Sequence, residues 1–309
     1  MDSRDALGPA PRGWARYGRE LAVALRQRTD MELRGLTGTR WRGPEAVWEQ
    51  VGFPLAARGA DVLHAPSVFL PLRRPCPGVV TIHDLAFEAY PEDFVPRTRA
   101  KFRWLAPRAA RSAELVICDS AFTRDDVCAR YGIDAAKVRV VPLAPSLPIG
   151  AEPVPERAPY ALGVGDLRGK KNWRRLAAAC PLPLVIAGVD AGEGAALRAA
   201  GVELTGYIDD ARLDALMRGA AVLVHPSLYE GFGLVVVEAL ARGVRVAAAR
   251  GTSLPEAGGD AAVYFDPLDE DAMRAAILEA LEGPAPRVTP RTWAEVAEET
   301  VSVYREAAG

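Results

Sequence analysis

The feature that most constrains this chain is a series of ten short, nearly all-apolar segments separated by stretches with helical periodicity. They fall at Asp61–His64, Val79–His83, Leu115–Asp119, Val138–Pro142, Tyr160–Gly165, Leu184–Gly188, Val202–Thr205, Ala221–His225, Val244–Ala248 and Ala262–Phe265. Strands apolar on both sides, with helices between them, are strands covered on both faces. The pattern therefore predicts an α/β fold of parallel sheets. Helices are expected at Trp14–Arg28, Arg97–Ala110, Ala121–Tyr131, Leu234–Arg242 and Asp271–Leu281.

The series is interrupted once. Six prolines crowd Val141–Tyr160, a stretch that cannot be helix or central strand and reads as a stiff linker. Charge changes sign across it. Residues 1–150 hold 22 Lys and Arg against 17 Asp and Glu, net +5, and residues 151–309 hold 16 against 23, net −7. Two Rossmann-like domains are predicted, 1–150 and 151–290, facing a cleft. Ligands of such sheets sit beyond the carboxyl ends of the strands, so the residues just after each strand are the ones to inspect.

Composition closes several routes. The apolar content, 50%, excludes general disorder, and no apolar run is long enough to span a membrane. Met1–Arg19 carries four Arg and no apolar block, unlike a secretory signal. Four scattered Cys make neither a disulfide framework nor a zinc site, and three His leave little for a multi-histidine metal centre. A reducing cytosol is the expected compartment, and no nucleic-acid partner is expected.

The richest stretch is His225-Pro-Ser-Leu-Tyr-Glu230-Gly-Phe-Gly233-Leu-Val-Val-Val-Glu238-Ala-Leu-Ala-Arg-Gly243. A strand ends, a glycine-bearing turn follows, and a helix begins whose free N–H groups form a receptor for anions or sugar hydroxyls. Glu230 precedes that helix and Glu238 lies inside it. Two carboxylates beside such a helix end are costly unless they bind hydroxyls; the plainer alternative is a capped core helix with two solvated Glu. The valines Val235–Val237 are expected to be buried.

Tyr229-Glu230-Gly-Phe-Gly-Leu…Glu238 resembles the glutamate–seven–glutamate motif of family 4 (group 1) glycosyltransferases, of GT-B fold. Asp166-Leu-Arg-Gly-Lys170-Lys171-Asn172 is similar to the segment where that family places an Arg-Lys pair on the donor diphosphate. Thr81-Ile-His83-Asp84-Leu85 resembles the donor-facing strand end of its first domain, and Gly13-Trp-Ala-Arg16-Tyr17 its N-terminal glycine loop. Gly251–Glu256 and Gly259–Ala262 resemble its late loops. Thr292-Trp293 opens a segment, 291–309, like the terminal helix that crosses back to the first domain.

The resemblance implies the roles. A nucleoside-diphosphate sugar is the co-substrate, and no other cofactor and no metal is implied. Lys170 and Lys171 would neutralise the diphosphate, Lys170 as a point charge where the family commonly has the Arg fork. Glu238 would hold the ribose, Glu230 would stand near the transferred sugar, Phe232, Gly233 and Leu234 would supply main-chain contacts, and Gly13 would belong to the donor loop. His83 would reach the sugar from the other domain; Glu230, His83 and Lys171 are the catalytic candidates. His64 is a weaker candidate for the acceptor side. His225, followed at once by Pro226, reads as structural.

The implied activity is metal-independent, retaining transfer of a hexosyl unit to a glycan or lipid-linked acceptor in bacterial polysaccharide synthesis. GDP-mannose is favoured as donor over a UDP-sugar, because the motif contexts resemble bacterial O-antigen mannosyltransferases. A nucleotide-sugar epimerase of the same fold and a non-catalytic nucleotide-sugar-binding subunit are the alternatives.

Two decoys are set aside. Gly163-Val-Gly165…Gly169 misses the dinucleotide fingerprint by one residue, and Asp269-Glu270-Asp271 reads as a helix cap rather than a metal triplet. Arg97–Arg108, basic and aromatic, has two readings: a helix packed on the sheet with its Arg in water, or a surface for peripheral contact with an anionic membrane on its cytoplasmic face. Finally, the family's buried first strand usually precedes the segment that here begins at Met1. The first sheet is therefore expected either to be weaker or to belong to a chain with a longer N-terminus.

Overall fold

The computed structural model describes residues 1–3, 13–36, 44, 47–151, 153–154 and 157–309. It divides into two compact units, Met1–Ser146 together with Arg291–Gly309, and Leu147–Pro290.

In the first unit, β1 (Leu63–Ala65), β2 (Gly78–Ile82), β3 (Leu115–Cys118) and β4 (Val138–Val140) pair in that order, all parallel. Around them lie α1 (Trp14–Arg26), α2 (Phe53–Ala56), α3 (Ala86–Ala89), α4 (Pro96–Ser112) and α5 (Ala121–Tyr131). The ends of α5 follow local chemistry: the Ser120 hydroxyl accepts the Thr123 N–H, and Gly132 closes the helix in the left-handed region at φ 62°. Leu63, Val80, Ile82, Phe102, Leu105 and Val116 belong to one apolar core. Beyond β1, the Asp2 N–H donates to the His64 carbonyl at 3.0 Å, and Ser3 and Met1 exchange main-chain bonds with Leu36. Three residues of extended chain thus stand beside β1; residues 4–8, the rest of that expected strand position, lie outside the described residues.

The second unit is a six-stranded parallel sheet: β5 (Ala161–Val164), β6 (Leu184–Ala187), β7 (Glu203–Gly206), β8 (Val222–His225), β9 (Val246–Ala249) and β10 (Val263–Phe265). Their order is β10-β9-β8-β5-β6-β7. The chain winds outward from β5 to one edge, then returns to place β8 on the other side of β5. That reversal is the topological switch point, and it opens a crevice at the carboxyl ends of β5 and β8. The helices are α6 (Trp173–Ala179), α7 (Gly194–Ala199), α8 (Asp210–Gly219), α9 (Leu234–Leu240), α10 (Leu254–Gly258) and α11 (Glu270–Glu282). Asp269 accepts the Ala272 N–H and caps α11, as the sequence reading had it.

The units divide at Ser146/Leu147, four residues before the boundary read from composition. Proline content marks a linker but not the side chains that grip it. Arg242 Nη2 donates to the carbonyls of Leu147 (2.7 Å) and Pro148 (3.0 Å), and the Leu147 N–H donates to Glu238 Oε1 (3.0 Å). The Gly150 N–H donates to Asp214 Oδ2 (3.1 Å). Asp214 and Arg242 are themselves a fully buried ion pair at 2.7 Å. Leu147–Gly150 is therefore fastened to the second unit.

The terminal helix α12 (Trp293–Ala308) belongs to the first unit. A Thr292/Glu295 capping box starts it, and it buries Val296, Val301 and Val303. Trp293 Nε1 donates to the Pro145 carbonyl at 3.0 Å, and its ring lies 6.1 Å from that of Tyr17. Among the described residues no helix is long and apolar enough to cross a membrane.

Candidate active site

The loops after β5 and β8 meet at the switch point. After β5 the chain makes a tight turn over Gly169–Lys171, and Asn172 follows at φ 59°, the single non-glycine left-handed residue among those described. Asn172 earns that strain by bridging loops: its Nδ2 donates to the Pro226 carbonyl (3.2 Å) and the Pro267 carbonyl (2.7 Å). The Leu228 N–H donates to the Lys170 carbonyl (2.8 Å), and Lys170 Nζ donates to the Tyr229 carbonyl (3.2 Å). Trp173 Nε1 donates to the Asp166 carbonyl (3.0 Å), closing the loop on itself. The glycines allow the approach: a Cβ on Gly188 would lie 1.9 Å from the Gly165 carbonyl oxygen.

Held this way, Lys171 and Glu230 form an ion pair between Nζ and Oε1, their side chains 15% and 14% exposed. His225 Nε2 lies 3.1 Å from the same oxygen. Burial alone would raise the Glu230 carboxyl, but Lys171, Lys170 and His225 outweigh it and hold it well below the usual carboxylate range. Burial lowers the Lys171 ammonium, partly offset by Glu230 and reinforced by Lys170. The Ser253 hydroxyl donates to the Glu230 carbonyl at 2.8 Å, tying the loop after β9 to the same point.

Gly233, at φ 102°, opens α9, and a Cβ there would lie 2.6 Å from Leu254 Cδ2. Phe232 is buried, and Leu234 is half-buried at the helix start. The valine expectation needs correction: Val236 is buried, whereas Val235 and Val237 are half-buried because α9 has one face on the sheet and another away from it. Glu238 is buried and its Oε1 accepts the Leu147 N–H.

In the first unit, His83 follows β2. Its Nδ1 lies 2.7 Å from Asp119 Oδ2 and its Nε2 3.0 Å from the Pro66 carbonyl. Both partners accept, so each ring nitrogen is placed to donate, an arrangement that favours the protonated ring. Burial works against that charge, but Asp119 and Pro66 raise the pKa above the ordinary histidine value. His64 is 2% exposed, with ring nitrogens bonded to Tyr304 and Thr81, which ties α12 to the strands β1 and β2. Gly13 caps α1 at φ 50°, and Tyr17 from that helix reaches Thr81 at 3.1 Å.

Lys170, Lys171, Glu230, Phe232, Gly233 and Leu234 are thus on two interlocked loops and the helix start, with Glu238 one turn further along α9. Gly13 and His83 lie in the other unit. Sequence reasoning missed His225 as a partner of Glu230. A strand-terminal His with a carboxylate five residues on was the available signal.

Two sequence profiles match: "Glycosyltransferase Family 4" over residues 12–144 and "Glycosyl transferases group 1" over residues 168–283. The chain is 30% identical over 283 residues to O-antigen chain mannosyltransferase B of Escherichia coli, covering 79% of this chain and 74% of that one. Among solved structures it is similar to sucrose-phosphate synthase of Thermosynechococcus elongatus, with a TM-score of 0.70, 20% identity, and 99% and 97% of the two chains covered. It is also similar to HepE of Anabaena in complex with UDP and glucose, with a TM-score of 0.56, 21% identity, and 80% and 76% covered. The chain belongs to the group 1, family 4 glycosyltransferases, of GT-B fold.

Proposed function

We propose that this glycosyltransferase moves a hexosyl unit, with mannose from GDP-mannose as the favoured case and a UDP-sugar next, to a hydroxyl of a glycan or lipid-linked acceptor with retention of configuration. The observation that carries the reading is the Lys170–Lys171–Glu230 cluster at the switch point, two cations and a carboxylate held by interlocked loops. The identity to an O-antigen mannosyltransferase supports the choice of mannose. Lys170 and Lys171 take the diphosphate, Glu238 the ribose hydroxyls, and Glu230 faces the sugar. The bond from the anomeric carbon to the diphosphate breaks as the acceptor oxygen bonds to the same face. The acceptor proton passes to the leaving diphosphate, whose charge the lysines stabilise. Glu230 offsets positive charge growing on the sugar ring. His83, in the first unit, is the remaining catalytic candidate, its ring held by Asp119 and the Pro66 carbonyl.

Incubation with a panel of nucleotide sugars, reading released nucleoside diphosphate with and without a mannose-terminated acceptor, tests this. Acceptor-dependent release from GDP-mannose with an axial anomeric product supports it. Release from no nucleotide sugar, or inversion at the anomeric carbon, contradicts it.

Peripheral membrane contact is part of the same proposal. Phe102 and Leu105 of α4 pack on the sheet, while Trp104 (52% exposed) and Val95 (69%) face solvent beside Arg97 and Arg108. Co-sedimentation with anionic but not neutral vesicles, lost in Trp104→Ser, is the expected result.

A further inference from the structure

His225 is 1% exposed, and its Nδ1 is a buried nitrogen with no hydrogen-bond partner among the described residues. Its other nitrogen faces Glu230 Oε1, an atom already claimed by Lys171. A carboxylate only accepts, so Nε2 is the nitrogen that donates to Glu230, and Nδ1 makes no bond to a described group. Among the described residues, Glu230, Lys171, Lys170 and the Ser227 hydroxyl, 3.5 Å from Nε2, face this ring. Burial disfavours its charged form and the two lysines add to that, against the pull of Glu230, so its pKa lies below the ordinary histidine value.

Glu230 therefore has two donors on one oxygen among the described residues, one of them the ammonium that the proposed function assigns to the diphosphate. A flexible, charged donor can be recruited by phosphate; a packed, neutral ring cannot. We propose that His225 is a positioning residue that keeps the Glu230 carboxylate oriented and ionised once the donor diphosphate has drawn Lys171 away. The inference rests on the reading of Lys171 as a diphosphate ligand and Glu230 as the sugar-facing carboxylate. Lys171 serves the ground state and the leaving group, whereas His225 acts on the transition state through Glu230 alone.

The test combines kinetics with histidine NMR. His225→Ala should lower kcat with GDP-mannose about tenfold to a hundredfold, the loss of one hydrogen bond to a charged group, and leave the donor KM within about threefold. The acid limb of its pH–rate profile should move to higher pH, because Glu230 without that N–H donor binds a proton more readily. His225→Gln restores most of kcat and returns the acid limb, since the Gln amide nitrogen lies the same number of bonds from Cα as Nε2. The chain has three histidines, so long-range proton–nitrogen spectra of the wild-type protein resolve this ring directly. It should be the neutral Nε2–H form from about pH 6 to 8, with and without bound GDP. Wild-type kcat and an unmoved acid limb in His225→Ala overturn the proposal, as does an imidazolium or Nδ1–H ring in the wild-type spectra. A wild-type protein that neither binds GDP nor turns over any nucleotide sugar fails the donor-site reading instead, and the positioning role falls with it.

Discussion

Removing the Lys171 ammonium while leaving Glu230 in place should destabilise the second unit strongly, and removing both charges should not. In Lys171→Met the Glu230 carboxylate keeps the His225 N–H but loses the ion pair on the same oxygen, in a site where its side chain is 14% exposed. Truncating one partner of a buried pair costs about 3–5 kcal/mol, and because His225 remains, the expected loss is near the lower end, about 3 kcal/mol. Lys171→Met combined with Glu230→Gln removes both members of the ion pair and should lose about 1 kcal/mol or less. Trp173 is the single tryptophan of Leu147–Pro290, so urea unfolding followed through fluorine-labelled tryptophan reports this unit by itself. The pH dependence has a definite sign. The folded Glu230 pKa lies below its unfolded value, so the pair contributes fully above the ordinary carboxylate range and its contribution fades as pH falls through the folded value. The gap between wild type and Lys171→Met should therefore be widest near neutral pH and narrow toward acid. A loss under about 1 kcal/mol for the single variant, or additive losses in the double, would refute the reasoning.

Other outcomes follow from the same geometry. Glu238→Ala should weaken GDP binding about tenfold to a hundredfold by calorimetry, and it should also speed amide exchange at Leu147, whose N–H it holds. Asp119→Asn should lower the His83 pKa; since the folded value is raised, the wild-type contribution is present below the unfolded pKa and lost as pH rises through the folded one, so urea stability of the variant should vary less between about pH 5.5 and 8.5. Gly188→Ala should cost about 1–3 kcal/mol of stability, because its Cβ would drive the Gly165 carbonyl, 1.9 Å away, out of the donor loop.

All ten strands were legible in the sequence to within two residues, because continuous apolar runs bounded by glycine, proline and charge have few other uses in a chain of this composition. The short helices Phe53–Ala56 and Ala86–Ala89 were not, since a single turn carries no periodicity. The loops after β5 and β8 stood out by residue type, but their interlocking depends on Asn172 in a left-handed conformation and on main-chain bonds that no side-chain pattern encodes. The contact between His225 and Glu230 was not legible for a related reason. Pro226 speaks to the local backbone, whereas the contact with Glu230 arises from how the following turn folds back. The four-residue shift of the boundary comes from Arg242 and Asp214, distant in sequence from the linker they hold.

The central claim is that a nucleotide sugar docks at the switch point of the second unit, between the loops after β5 and β8. Hydrogen exchange read by mass spectrometry, with and without saturating GDP-mannose, tests it without altering the chain. The account predicts slowed exchange in Gly165–Trp173 and Pro226–Glu238. Unchanged exchange in both segments, with protection elsewhere in the second unit, would contradict it.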